Sequence, residues 1–318
     1  MGIQTIKSAK VVTSGLALLE REVVLPGLVW RDAVSDFRGA LGDTVSLRLP
    51  AFAVAERNTL RSGAARQRGN LHQRKVDVAL DTRVYFDTEL TDEELSLDIV
   101  NFTSEVMAPI VGGIAREAEV VLAETIEGAT YATELALDES NPYNTLVDAR
   151  AALNKASVPM SGRVYVAGAD QESAILKAAE LVSNLAESGD ASAIRDAQTG
   201  RIAGFNVIVS NAITPGAGYA FHRTAFALAG RAPIVPQGAP WGQSVSRNGF
   251  AMRAVQIMDP STITDVLAVE TWLGANVVTD FGSLDENGVF TPGVDPDDPE
   301  VGESDLLVRA VKVATTES

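Results

Sequence analysis

Cysteine is absent from the 318 residues. Disulfides, zinc–thiolate centres, iron–sulfur clusters and cysteine nucleophiles are therefore excluded. Histidine is scarce: His72 and His222 are the only two, too few for a multi-histidine metal site or a histidine-rich catalytic centre. No apolar run approaches the ~20 residues that span a bilayer. The opening MGIQTIKSAKVVTSGLALLEREVV carries two lysines, but acids interrupt its weak apolar part, which argues against a signal peptide. Ile6 stands where myristoylation of Gly2 would need Ser or Thr. Positive charge is short as well, with 26 Lys and Arg against 42 Asp and Glu, a net charge of -16. That balance disfavours simple adhesion to nucleic acid or to an anionic membrane. What is there is ordinary: 46% hydrophobic and 21% charged residues, enough for one large domain or two smaller ones.

One stretch breaks the acidic rule. ERNTLRSGAARQRGNLHQRK, 56–75, sets Arg57, Arg61, Arg66, Arg68, Arg74 and Lys75 against Glu56 alone, with Leu60 and Leu71 as its only bulky apolar residues. It cannot bury itself. Before it, Val45, Leu47 and Leu49 alternate with Thr44, Ser46 and Arg48. After it, Val76, Val78 and Leu80 alternate around Asp77. A two-residue period on both sides predicts two strands joined by a loop of roughly 20 residues, far beyond the usual hairpin loop. The reading that accommodates it is a long hairpin projecting towards another molecule.

From Thr91 to Glu127 the apolar residues Leu95, Ile99, Phe102, Val106, Ile110, Ile114 and Leu122 recur at helical spacing. Thr91 and Glu94 form a capping box, and Asp92, Glu93 and Glu94 favour the positive end of the helix dipole. Such a helix would run roughly 50 Å, with an interruption expected at Pro109 and Gly112–Gly113. Beyond about 141 the texture becomes α/β. A helix is expected after Asn141 or Asn144, a buried strand over 162–168, and a helix from an Asp170 cap to Gly189. A hairpin turning at Thr199–Gly200 follows, then strands over 217–233, and a strand pair over 249–278 turning at Asp259–Pro260. The segment 285–305 carries eight acids and no base, which predicts a solvated loop. Residues 306–313 alternate loosely, as a last strand would.

Motifs for chemistry are missing: no Walker A sequence, no G-x-S-x-G, no H-E-x-x-H. Asp170 and Glu172 follow a strand, where catalytic carboxylates can sit, but helix capping explains Asp170 equally. DPDDPE does not fit an EF-hand loop. The sequence predicts no enzyme, no cofactor and no metal. Three readings remain for 56–75: a solvated loop, a phosphate-binding arm, or a docking arm for an acidic surface of another copy. The helix from Thr91 supplies such a surface, with Asp92, Glu93, Glu94, Asp98, Glu105, Glu117, Glu119, Glu124 and Glu127 against Arg116. Opposite charges on one chain favour head-to-tail association.

The order of these elements resembles the major capsid (coat) proteins of tailed bacteriophages. FDTELTDEELSLDIVNFTSEVMAPIVGGIAREAE (86–119) is similar to the strand entering that family's spine helix. GRIAGFNVIVSNAI (200–213) is similar to a segment of its apical domain, and AFALAGRAPIVP (225–236) with 249–278 to its closing segment. The resemblance implies an α+β fold with an N-terminal arm (1–43) and an extended hairpin loop (44–90). A peripheral domain with the spine helix (91–140), an α/β axial domain (141–246), returning strands (247–283) and an acidic extension (284–318) complete it. It implies a virion subunit, assembled in the host cytoplasm, that forms the pentamers and hexamers of an icosahedral shell around double-stranded DNA without sequence-specific binding. No long scaffolding segment precedes the arm, so a separate scaffold protein, or none, is expected, together with a portal, decoration proteins and no membrane. The inter-subunit contact residues expected are Arg57, Arg61, Arg66, Arg68, Arg74, Lys75, Asp92, Glu93, Glu94, Asp98 and Glu105. The alternatives are an encapsulin-like compartment around protein cargo and a nucleic-acid-binding protein using Arg57–Lys75.

Overall fold

The computed structural model describes residues 8–31, 44–48, 75–90, 103–178, 201–247, 250–261, 264–292 and 306–315. The elements in chain order begin with α1 (Ser8–Glu22), α2 (Leu25–Leu28), β1 (Thr44–Arg48), β2 (Lys75–Ala79) and β3 (Thr82–Leu90). A π-helical turn (Thr103–Met107), α3 (Ala108–Glu127), β4 (Glu134–Ala136), α4 (Pro142–Lys155), β5 (Arg163–Ala167) and α5 (Ala169–Lys177) follow. Then come β6 (Arg201–Ile202), β7 (Phe205–Val209), β8 (Ala217–His222), β9 (Phe226–Arg231), β10 (Trp241–Arg247), β11 (Phe250–Asp259) and β12 (Thr264–Val277). The last are β13 (Thr279–Leu284), β14 (Phe290–Pro292), β15 (Leu306–Val308) and β16 (Ala310–Ala314). Among the described residues no helix is long and apolar enough to cross a membrane.

The chain forms two compact units. The first comprises 1–45, 78–128 and 226–276. Its sheet runs β10-β11-β12-β3, with β9 also paired to β12. Antiparallel register carries Ala254↔Val269↔Phe86 across three strands. The face bearing Phe250, Met252, Ala254, Leu267 and Val269 meets Ile110, Val111, Ile114 and Ala118 of α3 and Val12, Leu16 and Leu19 of α1 in one apolar core. The i, i+4, i+7 spacing on α1 is that of a single buried helical stripe. Within the N-terminal arm α1 is a regular helix of 15 residues. Gly274 is dictated by space: a Cβ there would lie 1.9 Å from the Ala79 carbonyl oxygen.

The expected long helix differs in its details. Its first part, 91–102, with the Thr91 cap, lies outside the described residues. Pro109 stands in the first turn of α3, directly after the π-helical turn Thr103–Met107, so the interruption expected at the proline falls at that junction. The irregularity sits just upstream, as the π-helical turn. Gly112–Gly113 are carried without a break, and α3 spans roughly 30 Å. The expected single strand after the basic stretch is two strands, β2 and β3, parted at Leu80–Asp81.

The second unit comprises 46–77, 129–225 and 277–318. Its six-stranded sheet runs β4-β16-β8-β5-β7-β6, mixed in direction, with β16–β4 and β5–β7 parallel and the remaining pairs antiparallel. Leu146, Ala149 and Leu153 of α4 and Ile175 of α5 pack with Tyr165, Val207, Ala220, Val311 and Val313. β5 and β8 are buried at every position, as central strands covered on both faces are. A three-stranded sheet, β14-β13-β15, belongs to the same unit. The loosely alternating 306–313 is thus no appendage: β16 lies between β4 and β8.

Two sequence expectations shift here. The hairpin turns at Ala203–Gly204, both in the left-handed region (φ 48° and 88°), because a two-residue turn of that hand matches strand twist. Thr199–Gly200 lie outside the described residues. The cap of α5 is Gly168, not Asp170, which sits inside the first turn. A Cβ on Gly168 would lie 2.3 Å from the Thr214 carbonyl oxygen, so close backbone approach selects glycine there.

Candidate assembly interface

The contact residues expected from sequence are only partly placed. Arg57, Arg61, Arg66, Arg68 and Arg74, and the acids Asp92, Glu93, Glu94 and Asp98, lie outside the described residues. Lys75 opens β2 with its side chain 69% exposed and its ammonium 3.7 Å from Asp77, an exposed pair of small energetic weight. β1 and β2 form a two-stranded sheet, so the two ends of the basic stretch are held side by side. Ser46 Oγ donates to Asp77 across it. On β2, Val76 and Val78 are buried while Lys75, Asp77 and Ala79 face out.

Glu105 is exposed in the π-helical turn, and Arg116, Glu117, Val120 and Glu124 are exposed on α3. Glu119 behaves differently. Its carboxylate accepts hydrogen bonds from the backbone N–H groups of Val24 and Leu25, the otherwise orphaned donors at the start of α2. It therefore anchors the arm onto the helix instead of facing a partner. The sequence held a signal for this: Leu25-Pro26-Gly27-Leu28 is a short helix start with no Ser, Thr, Asp or Asn before it, so its donors need a carboxylate from elsewhere.

The strand between hairpin and helix was missed as surface. On β3, Val84 points into the core, while Arg83, Tyr85, Phe86, Asp87 and Glu89 are exposed. Tyr85 and Phe86 keep 59% and 49% of their surface exposed, large values for adjacent aromatics. Arg83 lies 5.1 Å above the Tyr85 ring and 2.5 Å from Glu270. Glu270 is buried on β12 and also pairs with Arg253 of β11. Burial and the neighbouring Arg83 charge push the Arg253 pKa down, so the carboxylate is what keeps two cations side by side.

In the second unit, Asp280, Arg309, Thr224 and His222 form a chain. Arg309 donates to both Asp280 oxygens and from Nη1 to Thr224 Oγ1 at 2.7 Å. Thr224 Oγ1 lies 2.8 Å from His222 Nδ1, and the Thr224 N–H also points at Nδ1. Nδ1 is thus an acceptor in a neutral ring. Burial, then Arg309, Arg163 and Arg223, hold the His222 pKa below its ordinary value, against a backbone hydrogen bond at Ser161. The arrangement is structural: every group points at another protein group. A groove of about 310 Å³ near Asp148 and Lys155 is lined mostly by Ala, Leu and Val. Among the described residues no cluster of three or more His, Cys, Asp or Glu could hold a metal ion.

The described residues form a sheet-and-helix unit, a mixed-sheet unit and a two-stranded sheet at the ends of the basic stretch. The family model described as phage capsid protein matches residues 74–294, and the chain belongs to that family. It is a major capsid protein, and copies of it assemble into the shell of a phage head. Solved structures share the fold. One from Mycobacterium phage Che8 is 17% identical, covers 93% of this chain and 92% of its own, and superposes with a TM-score of 0.58. The capsid of cyanophage P-SCSP1u is 8% identical, covers 88% of this chain and 85% of its own, with a TM-score of 0.56. The capsid of a native GTA particle is 8% identical, covers 93% and 94%, with a TM-score of 0.54. No curated relative matches the chain.

Proposed function

We propose that the shell is held together where the basic stretch of one subunit, Arg57, Arg61, Arg66, Arg68, Arg74 and Lys75, docks on carboxylates of its neighbour. Charge segregation carries the reading: six bases stand against one acid over 56–75 in a chain of net charge -16. The receiving side draws on Glu105, exposed beside α3, and on Asp92, Glu93, Glu94 and Asp98 in the sequence leading to it. The first unit acts as the peripheral domain and the second as the axial domain of pentamers and hexamers. A net acidic wall confines double-stranded DNA without gripping it. A portal, decoration proteins and, where one is used, a scaffold protein complete the head, which assembles in the host cytoplasm.

The test is charge reversal. The triple variant Arg66→Glu, Arg68→Glu, Arg74→Glu is expected to give a folded monomer that forms no shells, followed by size-exclusion chromatography and negative-stain microscopy. Normal particles from this variant would sink the docking reading. Purified subunit is also expected to bind duplex DNA weakly; tight binding with a steep salt dependence would favour a nucleic-acid role for the same stretch.

A further inference from the structure

The chain leaves the second unit after Ala225 and re-enters it at Val277. The two ends of that excursion are tied together. The Val278 N–H donates to the Ala225 carbonyl oxygen at 2.8 Å, and the Ala225 N–H donates to the His222 carbonyl oxygen at 2.7 Å, closing the turn after β8. Side chains fasten the same place. Arg309 donates to both oxygens of Asp280 in β13 and, from Nη1, to Thr224 Oγ1 in that turn. Arg309 stands between β15 and β16, and its carbonyl oxygen accepts from the His222 N–H. One guanidinium thus links the three-stranded sheet to the turn that ends β8.

The link runs through a hydroxyl with a single hydrogen. Thr224 Oγ1 accepts from Arg309, so that hydrogen goes to His222 Nδ1, 2.8 Å away. The Thr224 N–H points at the same nitrogen from 3.3 Å. The opposite side of the ring hydrogen-bonds the Ser161 backbone, which places the neutral ring's one proton on Nε2. A second proton can enter only at Nδ1, where two donors already converge. The charges acting on it there are positive: Arg309, then Arg163 of β5 and Arg223. Asp280 is engaged by Arg309. We propose that His222 is the acid release of a latch. When Nδ1 takes a proton, Thr224 loses its acceptor and the turn lets go of Arg309. The excursion's ends at Ala225 and Val278 then come apart, while β5 and β8 stay paired. Burial and the three arginines hold the ring's pKa below its ordinary value. The closed latch is therefore complete above about pH 6.5, weakens as pH falls below that, and levels off once the closed form is protonated.

Hydrogen exchange on the full chain tests this, between about pH 7.5 and about pH 5, where ordinary carboxylates keep most of their charge. Rates are corrected for the intrinsic pH dependence of exchange. The amides of Thr224, Ala225 and Val278 are expected to lose protection in acid, about tenfold for each pH unit that separates the ring's titration in the closed and open forms. The amides of β5 are expected to keep theirs. Equal protection at both pH values, or a loss shared equally by β5, overturns the latch. His222→Asn offers Thr224 an oxygen that takes no proton in this range, and is expected to hold these amides at both pH values. The same pH dependence in that variant overturns the proposal. A second measurement needs no change at His222. With His72→Gln, one histidine remains, and nitrogen NMR of its imidazole is expected to show Nε2 protonated at neutral pH and a titration below about pH 6.5. A neutral ring protonated on Nδ1, or a titration at or above that value, overturns the proposal.

Discussion

Two side chains show how charge is managed inside this subunit. Glu270 keeps 2% of its surface exposed and holds Arg253, whose side chain is 16% exposed, and Arg83, which is 59% exposed. Removing the carboxylate leaves Arg253 buried beside a like charge. Glu270→Gln is therefore expected to cost about 3–5 kcal/mol, nearly all of it through Arg253, since the Arg83 arm is screened by water. Thermal unfolding measures this, and Glu270→Leu combined with Arg253→Met should be less damaging than Glu270→Leu alone. His222 gives the acid-side prediction. Its folded pKa lies below the unfolded value near 6.5, so the unfolded chain binds the proton more readily. The contribution of this residue is then complete above about pH 6.5 and declines as pH falls below that value, levelling off once the folded ring is protonated. His222→Asn, which keeps an acceptor for Thr224, is expected to flatten that part of the stability profile measured by denaturant titration from acid to neutral pH.

At the scale of elements, much was legible in the sequence, and the misses share a cause. β2 and β7 follow from two-residue alternation, and α3 and α4 from their apolar faces, because each buries one face; β11 and β12 are buried over consecutive positions and carry no such period. α1 is hard to read locally, since its stripe of Val12, Leu16 and Leu19 is punctuated by Ser14 and Gly15. Gly15 sits where a Cβ would come within 2.9 Å of the Met252 methyl, a tertiary demand invisible locally. The role of Glu119 and the surface character of β3 also depend on partners distant in sequence. Two predictions belong here. Glu119→Ala should leave the fold intact but speed proteolysis around residues 23–31 by freeing the α2 donors. Ala203→Asn should raise stability by about 0.5–1 kcal/mol, since Asn tolerates the left-handed backbone that Ala occupies at φ 48°. The same denaturant titration checks it.

For the whole molecule, the absence of cysteine fixes how the shell resists stress: reducing agents should leave its melting temperature unchanged, whatever other bonds it holds. The fold class and the coat function were legible because element order, unlike any single motif, survives in sequence pattern. The sequence offers the proposed contact only as charge, because which surface a loop meets is a property of the assembly. The closing strand has a consequence for synthesis. β16 pairs with β4 at Ala314↔Ala136 and with β8 at Ala310↔Phe221, and Gln171 donates to the Val313 carbonyl oxygen. At about 5–20 residues per second, the ribosome delivers this strand roughly ten to thirty seconds after β4. Until then the six-stranded sheet has a gap at its second position, and the unit it belongs to stays open. A subunit whose chain has emerged only as far as β8 thus carries β4 and β8 without the strand that joins them.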